Sequence, residues 1–321
     1  MDKKDRIYVA GHRGLVGSAI LRRLEASGYD NLVIRTSSEL DLTRQAEVEA
    51  FFEAEKPRYV FLAAAKVGGI GANSAFPADF IYTNLAIALN VINASYKSGV
   101  RKLLNLGSSC IYPKMAPQPL REDYLLSGPL EPTNEAYAVA KIAAIRLCKH
   151  YNEQYGTNYI SAMPTNMYGP GDNYDPEGSH VLPAMIRKIH EAKVAGAQVT
   201  LWGDGSPYRE FLHADDCADA LVLLMERYNY ADIGEFINLG SSSELTIREL
   251  AETVARVVGY RGGIRWDSSK PNGTPRKLMD SSRLYGLGWR PKVALTEGIA
   301  AAYKDFLTRY SPGPAVNKGN N

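Results

Sequence analysis

The 321-residue chain has three cysteines, Cys110, Cys148 and Cys217, and no two of them fall at a CxxC spacing. That scarcity excludes a disulfide framework and a thiolate zinc site, and it predicts a reducing, cytoplasmic setting. No apolar run approaches the roughly 18 residues of a membrane span. The amino terminus, MDKKDRIYVAG, passes from charged residues straight into a short strand pattern, so a soluble, non-exported protein is expected. An excess of one charge is missing too: 37 Lys and Arg stand against 35 Asp and Glu, for a net charge of +2. Nucleic acid and anionic membranes are therefore not expected partners, and any bound anion should be small. Internal repeats and low-complexity blocks are absent. With 45% apolar and 22% charged residues, the composition is that of a globular chain with enough length for one large core or two smaller ones.

Short β-branched runs alternate with helical patterns over the first half. RIYVAG precedes a helix over 16–27, NLVIRT a helix over 45–55, YVFLAAA a helix over 84–98, and KLLNLGSS a helix over 136–155, with NYISAMPTN closing the series. This βαβ order predicts an α/β fold with a doubly wound parallel Rossmann sheet. Beyond Asn166 the spacing turns irregular and rich in Gly, Pro and Asn (MYGPGDNYDPEGSH). A smaller mixed α/β domain is expected there. The boundaries expected are 1–165 for the dinucleotide-binding domain, with a segment near 212–240 returning to it, and 166–311 for the substrate domain. The stretch 312–321, SPGPAVNKGNN at its widest, carries too little apolar surface to order itself and reads as a tail.

Gly11, Gly14 and Gly17 lie in GHRGLVGSAI, between a predicted strand and a predicted helix. Glycines there permit a tight turn and close approach of backbone to a pyrophosphate, and the helix amino terminus then offers free N–H groups. Glycines also simply make turns, so the position of the motif carries the argument. His12, Arg13, Leu15 and Val16 complete this stretch of the expected dinucleotide site. At the end of the second strand, where an NAD site usually has an acid for the ribose hydroxyls, VIRTSS places Arg35. Arg35 and Arg13 suit a 2′-phosphate and favour NADP(H); the alternative is that both are solvated surface residues.

Tyr137 and Lys141 stand four apart in a helical pattern and so share a face. An ammonium there stabilises phenolate and lowers the tyrosine pKa, whereas in an arbitrary helix such a pair is an accident of the surface. Cys110, at a predicted strand mouth in NLGSSCIYPK, reads either as a small buried apolar residue or as an acid or base. His180, in the loop DPEGSHVLP, has the intrinsic pKa of an acid–base residue, or it caps the helix that follows. His12, His150, His190 and His213 are given no catalytic role. His213 with Asp215 and Asp216 is read as a turn opening a helix with Asp as its cap, and no metal is expected.

In this order, GxxGxxG, the strand-end serine of LGSS and YxxxK resemble the extended short-chain dehydrogenase/reductase family. PTNMYGP, REFLHADDCADA and NLGSSSELTIRELA are similar to the rest of its pattern, so the likeness covers most of the chain. AAAKVGGIGAN, LGSSCIYPK, EPTNEAYAVAKIA and GTPRKLMD narrow it to members that act on GDP-sugars. The resemblance implies NADPH-dependent epimerisation at carbons 3 and 5 and reduction of the 4-keto group of GDP-4-keto-6-deoxy-D-mannose, giving GDP-L-fucose.

It further implies Ser108, rather than Ser109, and Tyr137 and Lys141 in the reduction, with Cys110 and His180 as the acid–base pair of the epimerisation. Leu106, Gly107, Ser109, Pro164, Thr165, Asn166 and Met167, together with Ser108, Tyr137, Lys141 and His180, are implied around the cofactor. Lys188, Trp202 and Arg209 are implied at the GDP-sugar, joined by a cation of the 263–277 segment, for which Arg276 is taken. The chain departs from the family at Gly263, where an arginine usually stands, and at Ser37, where a second arginine often follows Arg35. A homodimer built from two helices of each subunit is also implied. Related readings are another nucleotide-sugar epimerase/reductase or a 4,6-dehydratase. The latter usually carries an Asp-Glu pair where Cys110-Ile111 stands. A non-catalytic NADP-binding regulatory protein would keep the glycine turn and lose YxxxK.

Overall fold

The computed structural model describes residues 1–175, 178–270 and 272–310. The tail expected over 312–321 lies outside the described residues. The first strands are short: β1 (Ile7–Ala10) and β3 (Tyr59–Leu62) are buried throughout, and β2 (Leu32–Val33) is an edge strand with Leu32 half-buried. Between them run α1 (Leu15–Ala26) and α2 (Gln45–Glu55). A sheet covered on both faces needs strands that are apolar throughout, which is why IYVA and YVFL show no alternation.

The chain then forms α3 (Ile70–Ala75) and α4 (Pro77–Lys97), followed by β4 (Lys102–Leu106). Pro77 is the first residue of α4, where its fixed φ and missing N–H do no harm, so this helix begins seven residues before the expected start. Next come α5 (Glu135–Tyr155), β5 (Tyr159–Pro164) and β6 (Asn166–Tyr168). Helices α4 and α5 lie side by side on one face of the sheet.

The remaining elements are α6 (Val181–Ala195), β7 (Val199–Trp202), β8 (Tyr208–His213), α7 (Ala214–Arg227), α8 (Tyr230–Ile233) and β9 (Ile237–Leu239). They are followed by β10 (Glu244–Thr246), α9 (Ile247–Val258), β11 (Ile264–Asp267), β12 (Arg276–Lys277), α10 (Ser282–Gly286) and α11 (Leu295–Tyr310). The main sheet has the order β2-β1-β3-β4-β5-β9, with every pair parallel. Successive strands run outward to opposite sides of β1, so a crevice opens beyond the carboxyl ends of β1 and β3, where such sheets bind ligands. Helix α7 packs on α1 against the other face.

The second half builds a separate core from α6, α9 and α11, with Tyr168, Tyr174, Leu182 and Phe306 buried in it. Its β8 pairs with β10, β12 and β6. Two polar anchors join the layers. Lys102, buried on β4, donates to the carbonyls of Leu224 and Met225 at 2.8 and 2.7 Å and to that of Tyr228, holding the end of α7; burial lowers its pKa to about 8. At the other end of α7 the cap is His213, whose Nδ1 accepts the Asp215 N–H at 3.2 Å. Asp216, one of the acids expected to cap, instead accepts the N–H groups of Lys292 and Val293. No described helix is long and apolar enough to cross a membrane.

Gly17 packs directly on the Gly11 carbonyl, where a Cβ has no room. Gly17→Ala is expected to force the turn open and cost about 1–3 kcal/mol of stability, seen as a lower Tm in thermal denaturation.

Candidate active site

A cavity of about 1000 Å³ extends from the glycine turn after β1, past the ends of β3 and β4, to α6, β7 and β8. At its first end Gly11 has φ +83°, and a Cβ on it would come within 2.7 Å of the Ala64 backbone, so the turn accepts only glycine. Helix α1 opens at Gly14 with no side-chain cap, which leaves its first N–H groups for an anion. His12, Arg13, Leu15, Val16 and Arg35 line the same end, with the hydroxyl residues Thr36, Ser37 and Ser38. Arg35 is braced by Glu55 at 2.5 Å and lies 5.6 Å from the Phe51 ring centre. No carboxylate occupies the position just after β2, and Ser37 supplies a hydroxyl two residues beyond Arg35. These residues fit a dinucleotide carrying a 2′-phosphate.

At the centre, β4 runs out through Leu106 and Gly107 into Ser108, whose extended backbone starts a single 3₁₀ turn at Ser109–Ile111. The Ser108 hydroxyl accepts the Cys110 N–H at 3.5 Å and hydrogen-bonds Tyr137. Ser109 also lines the cavity but is almost wholly buried. Tyr137 and Lys141 face the cavity from the first turns of α5. The Lys141 Nζ donates to the Leu106 carbonyl at 2.7 Å and sits 5.6 Å from the Tyr137 ring centre.

The expected lowering of the Tyr137 pKa by Lys141 is not found. Burial, and then the Cys110 sulfur, drive it well above its ordinary value, against the Ser108 hydrogen bond. Burial also lowers Lys141 to about 8. The expectation weighed the charge pair and omitted the cost of removing both groups from water.

Cys110 is 6% exposed, and burial raises its thiol pKa; Lys277, the Ser108 hydrogen bond and Lys141 act the other way. Cys148 and Cys217 are core residues outside the cavity, with burial pushing Cys148 up to about 12. His180 takes the N-cap position of α6, makes no side-chain cap bond and lines the cavity. The residue is exposed where it lines the cavity, and desolvation, followed by the Lys277 charge, lowers its pKa. Pro164, Thr165, Asn166 and Met167 form the neighbouring wall, where Asn166 is fixed by donating to the Glu210 carbonyl at 2.8 Å.

At the far end the Lys188 ammonium lies 5.2 Å and that of Lys270 5.6 Å from the Trp202 ring centre. Arg209 lines the cavity beside them, and burial lowers its pKa to about 10. Arg276 is not brought to this site: it is exposed and forms a two-point ion pair with Glu244. Its neighbour Lys277 lines the cavity instead, in register with Arg209. Consecutive strand residues face opposite sides, but a two-residue strand shows no alternation that would tell which faces inward. Gly263 and Arg265 do not line this cavity.

Sequence reasoning also missed the 66–73 segment as a wall. Gly69 donates its N–H to the Gly178 carbonyl at 3.0 Å, and Asn73 holds the Gly68 and Gly69 carbonyls at 2.8 and 3.0 Å. A Cβ on Gly69 would stand 2.7 Å from the Ser179 carbonyl oxygen, one residue before His180.

A doubly wound sheet, a cap-free helix at a glycine turn and a Ser–Tyr–Lys set at the end of β4 define a dinucleotide-dependent dehydrogenase/reductase that acts on a carbonyl. The chain belongs to the NAD dependent epimerase/dehydratase family, whose model matches residues 7–240. It is 65% identical to a protein of Oryza sativa subsp. japonica named probable GDP-L-fucose synthase 1, over 95% of this chain and 93% of that one. It is 54% identical to the GDP-L-fucose synthase of Escherichia coli (strain K12), over 95% and 97%. A crystal structure of a GDP-L-fucose synthetase from Naegleria fowleri bound to NADP superposes with a TM-score of 0.89 at 29% identity, covering 97% of this chain and 96% of that one.

Gly69→Ala is expected to displace the His180 loop and reduce turnover about tenfold or more, because misplacement of a reacting group by about 1 Å costs that much. Steady-state rates beside a fluorescence titration with NADPH would show the loss with cofactor affinity retained.

Proposed function

We propose that the protein converts GDP-4-keto-6-deoxy-D-mannose into GDP-L-fucose with NADPH, inverting carbons 3 and 5 and then reducing the 4-keto group. One observation carries the reading: Cys110 and His180 open into the same cavity as the Ser108–Tyr137–Lys141 set. The named relatives support the substrate, and the two arginines at the glycine-turn end support NADP(H). A dehydratase reading would want an acidic pair where Cys110 and Ile111 stand.

The 4-keto group acidifies the hydrogens on both neighbouring carbons. Inversion at each needs one residue to remove a proton and another to return it on the opposite face. In this reading Cys110 accepts the proton through its sulfur, the electron pair of the broken C–H bond moves to the carbonyl oxygen, and His180 returns a proton to carbon. NADPH, when bound, supplies the hydride for the reduction. Tyr137 then gives its proton to the oxygen. Burial keeps it protonated at neutral pH, the state a donor requires. Ser108 hydrogen-bonds the same oxygen, and Lys141 holds the nicotinamide ribose. Arg13 and Arg35 hold the 2′-phosphate, and Leu106, Gly107, Pro164, Thr165, Asn166 and Met167 enclose the nicotinamide half. Lys188, Arg209 and Trp202 receive the GDP half.

Residues 1–165, with the segment near 212–240, form the dinucleotide-binding domain in this reading, and 166–311 the substrate domain. The enzyme works in the cytoplasm as a homodimer. Its interface is the α4–α5 face, where Tyr82, Leu89, Tyr96, Val139 and Tyr155 are exposed together on helices already packed side by side.

Incubating the protein with NADPH and GDP-4-keto-6-deoxy-D-mannose in deuterated water should give GDP-L-fucose labelled at carbons 3 and 5; no cofactor oxidation would sink the assignment. Cys110→Ser should lower deuterium incorporation by about 100-fold or more; exchange at the wild-type rate would remove Cys110 from the base role. Lys141 loses its proton as pH rises through about 8, so hydride transfer in single-turnover kinetics should decline above that pH. Leu89→Glu should convert the dimer to monomer in sedimentation velocity.

A further inference from the structure

Glu210, on β8, is 0% exposed and has no ion-pair partner among the described residues. A carboxylate so placed is costly unless donors replace the water it has lost. Here they come from two distant segments. Its Oε1 accepts the Ser242 N–H at 2.6 Å and the Ser241 hydroxyl at 3.4 Å, and its Oε2 accepts the Met279 N–H at 2.9 Å. Gly240 leaves the space the carboxylate occupies, since a Cβ there would collide with it. One side chain thus ties β8 to the loop before β10 and to the segment after β12.

Strand β12 needs such a tie. It is two residues long, with Arg276 opposite Tyr208 and Lys277 opposite Arg209. Paired residues of neighbouring strands share a face and consecutive residues do not. Lys277 and Arg209 accordingly line the cavity, while Arg276 lies on the reverse face, bound by Glu244, the residue of β10 paired with Glu210. A slip of one residue would exchange the two cations. Charge does not forbid it, because lysine pairs with a carboxylate as arginine does. The backbone beyond β12 does. The Met279 N–H goes to Glu210, while those of its neighbours, Leu278 and Asp280, go to Gln118 Oε1 at 2.9 Å and the Leu120 carbonyl at 2.8 Å. Shifted by one residue, each N–H would turn away from its acceptor, and Glu210 Oε2 would be left buried and unpaired.

We infer that Glu210 is a positioning residue for the GDP-sugar: its carboxylate fixes the register of β12 on β8 and so decides that Lys277, not Arg276, stands beside Arg209 in the cavity. The two cations, side by side on one face, suit a diphosphate. The consequence for substrate rests on the reading of this end of the cavity as the GDP site.

The test uses GDP alone, titrated calorimetrically into the wild-type protein and into Glu210→Leu. Loss of one cation from the pair should weaken GDP about tenfold or more, with NADPH affinity unchanged. Glu210→Gln, which keeps one acceptor oxygen, should recover part of that loss, and it carries the comparison should Glu210→Leu fail to fold. Lysine acetylation read by peptide mass spectrometry gives a second measure: GDP should shield Lys277 in the wild type and leave it unshielded in the variant. In turnover, KM for the GDP-sugar should rise while kcat stays within about twofold. A lowered Tm with wild-type GDP affinity would make Glu210 a stability residue alone and overturn the inference. GDP not bound by the wild-type protein would overturn the reading of the site, and the inference with it.

Discussion

The short bond from Lys141 to the Leu106 carbonyl fixes the working geometry of this protein. It pins the first turns of α5 to the open end of β4, two segments with different jobs. From β4 the chain runs directly into Ser108 and Cys110, and one turn before Lys141 the helix carries Tyr137. A single buried contact of 2.7 Å therefore sets the separation between hydroxyl, thiol and phenol. Burying an ammonium costs several kcal/mol unless its donors are satisfied, and here that cost appears as a lysine pKa lowered to about 8. Stability and chemistry meet in one side chain.

Around that pin the cavity has a marked charge bias. Arg13, Lys141, Lys188, Arg209 and Lys277 all line it, whereas its acids are engaged or discouraged. Asp41 is tied to Thr43, Glu131 to Lys114, and burial pushes Asp172 up to about 7. A near-neutral chain thus concentrates positive potential where two diphosphates and a 2′-phosphate would lie. In a low-dielectric cleft such a field acts far more strongly than on the surface.

Much of this was legible in the sequence because it is local. Strands buried on both faces read as IYVA, YVFL and KLLNL. The glycine turn, the strand-end serine and the YxxxK pair each occupy a few consecutive residues. Features set by distant packing were not legible. Gly69 meets Gly178 across more than a hundred residues, and nothing in either neighbourhood announces the other. Arg276 and Lys277 are adjacent cations whose facing is decided by pairing with β8. Pro77 reads as a break and is in fact a helix start. The Tyr137 pKa went the other way because a helix-face argument contains the lysine's charge but not the desolvation of the phenol. His213 took the capping role expected of an acid because its ring fits beneath the first turn of α7, freeing Asp216 to bind the 292–293 backbone.

The main sheet also joins strands made far apart in time. β5 gains its outer neighbour only when β9, at Ile237–Leu239, has been made, and β9 is followed by the segment that closes the substrate side. On the ribosome, at about 5–20 residues per second, the roughly 75 residues in between take several seconds to appear. Through that interval Tyr159–Pro164, apolar on both faces, is an open sheet edge of the kind that recruits other chains. The strand that completes the catalytic scaffold is thus also the one that ends its exposure to aggregation during synthesis.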